Sequence, residues 1–259
     1  MRLVSLCPSL TELVFELGLG DRLVGITEYC VRPPEGVPRI EKVGGTKDPK
    51  VERIKELQPD LVLLNEEENR REDADALDTL GIATHTSFPR TVEEVAATVR
   101  ELSARLGVAP AGQRVANGID VALERARAAT RGQRPVRFAY LIWRKPWMTA
   151  AEGTYVSSLL EAAGGDNVVG PCPTRYPSIS GAQLASADPC AVLLSTEPFP
   201  FQPKHVAELA AATELAPCRF RIVDGELLSW HGARTAAGLD YAVRLLDEFR
   251  RARRPQATR

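Results

Sequence analysis

The sequence predicts an α/β protein of two lobes with parallel sheets, joined by one long α-helix. The first observation behind this is an internal repeat at an offset of about 130 residues. Residues 58–67 read QPDLVLLNEE and residues 188–197 read DPCAVLLSTE, with Pro59 and Pro189, Leu63 and Leu193, Leu64 and Leu194, and Glu67 and Glu197 in register. In each copy an amphipathic stretch (VERIKEL, then AQLASA) ends at the proline, a short apolar strand follows, and an acidic loop comes next. The second observation is that strand and helix patterns alternate through both halves, which implies parallel pairing and right-handed crossovers. The third is the Ala- and Arg-rich run from Pro110 to Thr130, whose apolar positions Val115, Ile119, Ala122, Leu123 and Ala126 keep helical spacing. As a helix it would be ~30 Å long, enough to cross a small domain. Strand ends that open into loops are where α/β sheets bind ligands, so two such ends half a chain apart predict two lobes facing one cleft.

In chain order, Leu3–Leu6 reads as a strand, and the S-L-T-E run from Ser9 to Glu12 as a capping box for a helix that Gly18 closes. Leu23–Thr27 reads as a strand, Lys50–Gln58 as a helix and Leu61–Leu64 as a buried strand. Asn69–Leu80 is predicted helical up to Gly81, Ile82–Thr86 extended, and Val92–Leu106 helical through Val92, Val95, Val99, Leu102 and Leu106. Gly132 and Pro135 end the long helix. Beyond it come a strand at Val136–Trp143, a helix at Tyr155–Ala163 ended by Gly164-Gly165 and a strand at Val192–Ser195. A helix at Val206–Ala212, a strand at Phe220–Val223 and a helix at Arg234–Arg250 complete the pattern. The predicted division is a first lobe over 1–108, a linking helix over 109–132 and a second lobe over 133–259.

The 259 residues, 44% hydrophobic and 26% charged, suit a soluble globular protein. Thirty-three basic against 34 acidic side chains leave a net charge of −1, which argues against a nucleic-acid partner, whose affinity would rest on many phosphate contacts. The basic run Arg250–Arg254 reads as a solvated terminus. No apolar run is long enough to span a membrane, and no secretory leader precedes the first strand. The expected location is therefore cytoplasmic as written, or periplasmic or surface-anchored if the chain has been trimmed. The five cysteines, Cys7, Cys30, Cys172, Cys190 and Cys218, are odd in number and scattered, which fits neither a disulfide framework nor a structural zinc site. Cys190 and Cys218 are expected in the core. Cys7 and Cys30 fall at strand ends and are read first as small buried hydrophobes. No GxSxG, HExxH, Walker A or GxGxxG run is present, and no enzyme activity is predicted.

Three segments, LVSLCPSLTELVFELGLGDRLVGITEYCVRPP, VGGTKDPKVERIKELQPDLVLL and PWMTAAEGTYVSSLLEAAGGDNVV, resemble the type III, helical-backbone substrate-binding proteins of ABC importers, and among them the cobalamin-binding branch. The resemblance runs along nearly the whole chain. It implies two Rossmann-like lobes bridged by a rigid helix, with non-enzymatic binding of a corrinoid or another metal chelate between them. It needs no cofactor and implies a monomer that works with importer membrane subunits. By the same resemblance Tyr29, Trp147 or Met148, Tyr176 and Trp230 fall on aromatic or ligand-facing positions. Two positions that carry tryptophan in the cobalamin binders are Thr46 and Asn65 here, and the first lobe offers Glu66-Glu67-Glu68-Asn69-Arg70-Arg71 instead. That departure favours a cationic, hydroxylated or metal-bearing ligand over a full-size corrinoid. Family members dock through one surface glutamate per lobe. Glu52 matches the first, whereas the second position is Ala182, its partner in the internal repeat. This makes importer docking uncertain and points to a cytoplasmic relative.

The residues themselves support parts of this reading. Trp147 lies in the loop WRKPWMTA, and a loop aromatic with a polar handle suits a small-molecule clamp. Trp143, at a strand end, is read equally as core or cleft, and Trp230 as cleft-facing. Glu66 and Glu67 follow a buried strand and are echoed by Glu197. His231 is a candidate ligand contact, and Arg175 and Arg234 could hold an oxyanion. The predicted ligand-binding set is Tyr29, Glu66, Glu67, Trp147, Met148, Tyr176, Trp230 and His231. Two alternatives stand beside a binding protein that has left transport. One is an ordinary importer subunit with its leader removed. The other is a cytoplasmic metal-handling protein or enzyme using Cys7, Glu28 or His231 in the same cleft.

Overall fold

The computed structural model describes residues 1–252. The chain forms two compact units. The first comprises Met1–Pro89, Val95–Asn117 and His231–Ala233, and the second Arg90–Glu94, Gly118–Trp230 and the chain from Arg234 on.

In the first unit, strands β1 (Leu3–Ser5), β2 (Leu23–Ile26), β3 (Leu61–Asn65) and β4 (Thr84–Ser87) form one sheet in the order β2-β1-β3-β4. Every pairing is parallel, with Leu3 opposite both Leu23 and Leu61, and Val62 opposite Thr84. β3 is buried along its whole length, which is why it reads as a continuous apolar run rather than an alternating one. One face of the sheet packs Val4, Leu6, Val62 and Leu64 with Val43, Ile54 and Leu77, where Ile54 and Leu77 come from α2 (Val51–Glu56) and α3 (Arg71–Thr79).

Helix α1 (Pro8–Glu16) begins before the predicted capping box. Pro8 occupies the first turn, where its missing N–H costs nothing, and Cys7 is the N-cap without a side-chain cap bond. Ser9 is therefore inside the helix, not at its boundary. Helix α4 (Val92–Arg105) follows the predicted stripe, with Val92, Val95, Val99 and Leu102 all buried. Helix α5 (Ala109–Thr130) is continuous over 22 residues, and the boundary between the units falls within it, after Asn117.

The second unit orders its strands β6-β5-β8-β9, from β5 (Val136–Trp143), β6 (Met148–Thr149), β8 (Ala191–Ser195) and β9 (Phe220–Val223). β7 (Gly165–Asn167) pairs in parallel with the first half of β5. The sheet departs from all-parallel pairing at β6, which runs antiparallel to the end of β5. The turn Arg144–Trp147 is too short for a parallel crossover and returns the chain beside the strand it left. Helices α6 (Tyr155–Ala162), α7 (Gly181–Ala187), α8 (Pro203–Thr213), α9 (Gly225–Ser229) and α10 (Thr235–Ala252) complete the unit. Thr154 caps α6 by accepting the Ser157 N–H, and Ser180 and Gln183 form a reciprocal capping box on α7.

The internal repeat is structural. β3 and β8 occupy 61–65 and 191–195, each preceded by a short helix and a left-handed residue, Gln58 (φ 47°) and Asp188 (φ 44°). After the strands, Glu66 N–H donates to Ser87 O and Thr196 N–H to Val223 O, both at 3.0 Å. Cys190 is buried as expected, but Cys218 is exposed: it sits in the one-turn helix Pro217–Arg219 before β9, outside the sheet. The basic tail read as a solvated terminus lies, from Arg253 on, outside the described residues.

Candidate functional site

The carboxyl ends of β1, β2, β3 and β4 bring together several candidates of the first unit. Tyr29, just past β2, is 60% exposed. Its ring lies against Gly45, where a Cβ would come within 3.3 Å of the ring and 2.2 Å of Asp48 Oδ1. Glycine at 45 thus leaves room for the Asp48 carboxylate and brings the ring close to the backbone. Glu28 is exposed and donates its N–H to Gly44 O at 2.9 Å.

Past β3, the turn Glu66–Asn69 is pinned from several sides. Asn65 Oδ1 accepts the N–H of Glu67 at 3.0 Å and of Glu68 at 3.3 Å. Asn69 Nδ2 donates to Leu6 O (2.9 Å) and Thr46 O (3.0 Å), and Lys47 Nζ donates to Glu67 O at 2.6 Å. Glu66 and Glu68 are exposed and Glu67 is half-buried, so carboxylates stand on a held backbone. Thr46 and Asn65 are buried at 7% and 3% exposure.

His231 is buried beside this turn. Its Nε2 lies 3.1 Å from Asn65 Nδ2 and 3.5 Å from Ser9 Oγ. Burial drives the imidazole down to about 4, so it is neutral at pH 7. Cys7 and Cys30 are buried too. Burial pushes the Cys7 thiol up to about 12, with the Glu68 carboxylate adding to the effect. Burial also raises Cys30, whose sulfur sits 3.0 Å from Thr11 Oγ1 and 3.1 Å from Thr27 Oγ1. Both remain protonated at neutral pH, and a thiol is a poor nucleophile and a poor metal ligand. Among the described residues no three His, Cys, Asp or Glu side chains stand together so as to hold a metal ion.

In the second unit Trp147 is half-buried and stacks on Phe201, with centroids 6.0 Å apart and planes 9° apart. Phe201 in turn meets Phe199 at 4.9 Å, and Phe199 meets Trp143 at 5.6 Å edge-on. The Arg144 guanidinium lies 5.9 Å from the Trp147 ring and pairs with Glu208 at 2.6 Å. Trp147 therefore has one face in the protein's own aromatic cluster, while Trp143 is 41% exposed. Met148 is in β6, and the strip before Ser178 runs beside it: Thr149 N–H donates to Pro177 O and Ala151 N–H to Arg175 O. This pairing brings Tyr176, itself half-buried, to the same edge. Trp230 is buried at 7% exposure, with the Arg234 guanidinium 5.6 Å above its ring and Glu226 paired to Arg234 at 3.6 Å.

The turn after β8 repeats that after β3: Glu197 N–H donates to Ser195 Oγ at 3.3 Å, as Glu67 does to Asn65. A Cβ on Gly225 would come within 2.4 Å of both Glu197 Cγ and Ser195 Oγ, so glycine is required beside this second acidic turn. Glu52 and Ala182 are both exposed, at the same place in the first turns of α2 and α7. Phe199 and Phe201 are contributors that sequence reasoning missed, and Asn65, read there only as a replaced aromatic, holds the turn by its side chain. Their signals were the PFPF run directly after Glu197, and an asparagine ending an otherwise apolar strand. A polar recess lined by Arg127, Thr130, Ser158, Glu161 and Ala162 gathers none of the candidates.

Comparison with known proteins follows the same outline. Residues 3–216 match the model of a family described as periplasmic binding protein. The vitamin B12-binding protein of Vibrio parahaemolyticus is 31% identical over 188 residues, 73% of this chain and 68% of that protein. The crystal structure of the periplasmic vitamin B12 binding protein BtuF of Vibrio cholerae superposes with a TM-score of 0.81 at 26% identity, covering 96% of this chain and 97% of that one. The periplasmic heme-binding protein RhuT from Roseiflexus sp. RS-1, at 24% identity and a TM-score of 0.82 over 97% and 98% of the two chains, shares the fold. With the family model spanning most of its length, this chain belongs to the periplasmic binding protein family.

Proposed function

We propose that this protein binds a corrinoid-class metal complex, without transforming it, through the loops at the carboxyl ends of its strands. The observation that carries the reading is Tyr29: a 60% exposed aromatic ring, close to the Gly45 backbone, at the end of a parallel strand. A flat ring close to backbone offers a stacking face at little entropic cost. The similarity to vitamin B12-binding proteins supports the corrinoid class. The carboxylates of Glu66 and Glu67 suit the amide donors or cationic groups around such a ligand. Trp147, Met148 and Tyr176 are the candidate contacts that the second unit carries by itself. Trp230 and His231, being buried, act by supporting neighbouring side chains. The test is a tryptophan-fluorescence titration with cyanocobalamin, hemin and a ferric siderophore chelate. Saturable quenching by cyanocobalamin, weakened in Tyr29→Ala, is expected. Quenching by the ferric chelate alone would move the ligand to the iron-chelate class.

A second reading concerns the partner. Docking on importer membrane subunits through a carboxylate on each unit would leave only Glu52 here, because Ala182 occupies the equivalent exposed position. Loss of one desolvated interfacial ion pair can remove several kcal/mol, so we propose that docking is weakened or absent. No helix among the described residues is long and apolar enough to cross a membrane. Co-purification with importer subunits, compared between the unaltered chain and Ala182→Glu, tests this. Gain of the complex only in Ala182→Glu is expected, and robust binding by the unaltered chain would contradict it.

A further inference from the structure

We infer that His231 is a proton-sensitive latch for the acidic turn after β3, acting through Asn65. The hydrogen bonds around Asn65 settle its amide orientation. Nδ2 lies 3.1 Å from Ser87 O, which only accepts, and Oδ1 receives the N–H groups of Glu67 and Glu68, which only donate. The other N–H of Nδ2 then points to His231 Nε2 at 3.1 Å, so Nε2 must be the acceptor and the imidazole must be neutral with its proton on Nδ1. Protonating Nε2 would set its N–H against the Asn65 N–H in a buried place, turning that bond into a repulsion and leaving Ser9 Oγ, at 3.5 Å, as the acceptor toward which the imidazolium would turn away from Asn65.

The amide has no slack to absorb this. Turning it to offer Oδ1 to the imidazolium would aim Nδ2 at the Glu67 and Glu68 N–H groups and Oδ1 at Ser87 O. Either response releases the backbone of the turn that carries Glu66, Glu67 and Glu68. The second repeat lacks the device, because Ser195 receives the Glu197 N–H in place of an asparagine. The burial that holds the imidazole neutral also holds its titration near pH 4. The titratable groups on the elements around it are Cys7 before α1, Glu12 one turn beyond Ser9 on α1, Glu66, Glu67 and Glu68 on the turn, and Lys47, which donates to Glu67 O. Arg234 is its neighbour along the chain, and Cys7 stays neutral throughout this range.

That the latched turn contacts ligand rests on the proposed function, whereas the latch itself does not. The experiment therefore uses the protein without ligand. Amide hydrogen exchange at Glu67 and Glu68 is measured by NMR from pH 7 to pH 4, as protection relative to the intrinsic rate, with Val62 N–H in the β3–β4 ladder as control. Protection at Glu67 and Glu68 is expected to fall by roughly tenfold or more as the His231 ring titrates, while Val62 holds; loss of one buried bond has that size. In His231→Gln the side-chain oxygen still accepts from Asn65 but cannot titrate, so protection at pH 7 should persist and the pH response should vanish. The inference is overturned if protection of the turn does not follow the His231 titration, if Val62 loses protection in step with it, or if His231→Gln keeps the response. Should His231→Gln fail to fold, the titration of the unaltered protein decides alone.

Discussion

Tyr29 and Trp147 were expected to play the same part, and their surroundings now separate them. Tyr29 is mostly exposed, with its ring beside Gly45. Tyr29→Ala should leave stability within about 0.5 kcal/mol of the parent, as surface changes usually do. It should weaken corrinoid binding by ~1–3 kcal/mol if the ring is an anchor; urea denaturation and a binding isotherm on the same variant check both halves. Trp147 stacks on Phe201 and joins a cluster that includes Leu141, Leu194 and Leu209. Trp147→Ala should therefore cost stability, roughly 2 kcal/mol for a half-buried ring against the ~3–5 kcal/mol of a fully buried one, read as a lowered Tm without ligand. An unchanged Tm would return Trp147 to the role of a purely ligand-facing aromatic.

At the scale of elements, the repeat makes one device visible twice: a short helix, a left-handed residue, a buried strand and an acidic turn. Gln58 and Asp188 hold the left-handed position without being glycine, at a conformational cost. Gln58→Gly should stabilise by up to ~1 kcal/mol in chemical denaturation, and a loss would mean that the Gln58 side chain itself stabilises the fold. His231 couples the turn to pH. Its pKa lies near 4 in the fold against about 6.5 unfolded, so the unfolded chain binds a proton first as pH falls. The favourable balance is complete above pH 6.5 and is lost between 6.5 and 4, amounting to about 3 kcal/mol at the full shift. Denaturation at pH 7 and pH 4 should show this difference in the parent relative to His231→Gln. The strands and helices were legible because the Leu61–Asn65 and Ala191–Ser195 runs, the helical stripes and the glycine stops are local patterns. Short elements such as β6, β7 and α9 were not, because two to five residues carry no periodicity. The Asn65–His231 bond spans 166 positions and has no sequence signature at all. Ser9 misled for a local reason: its capping box was outcompeted by Pro8, whose fixed backbone starts the helix earlier.

For the whole molecule, the match of residues 3–216 to the family model places this chain among the periplasmic binding proteins, with two sheets and one continuous 22-residue helix as its frame. By the resemblance read from the sequence, Thr46, Asn65 and Ala182 are the positions proposed to depart from that family. The first two belong to the buried polar network that holds the acidic turn, and the third leaves an exposed helix start without a carboxylate. We propose a binding protein whose ligand-facing loops are acidic and whose docking is one-sided. Binding of a corrinoid-class complex without turnover is decided by native mass spectrometry of the purified chain with cyanocobalamin. One intact cyanocobalamin per chain is expected, with less complex in Tyr29→Ala. Absence of any corrinoid adduct, or a chemically altered corrinoid released from the protein, would contradict it.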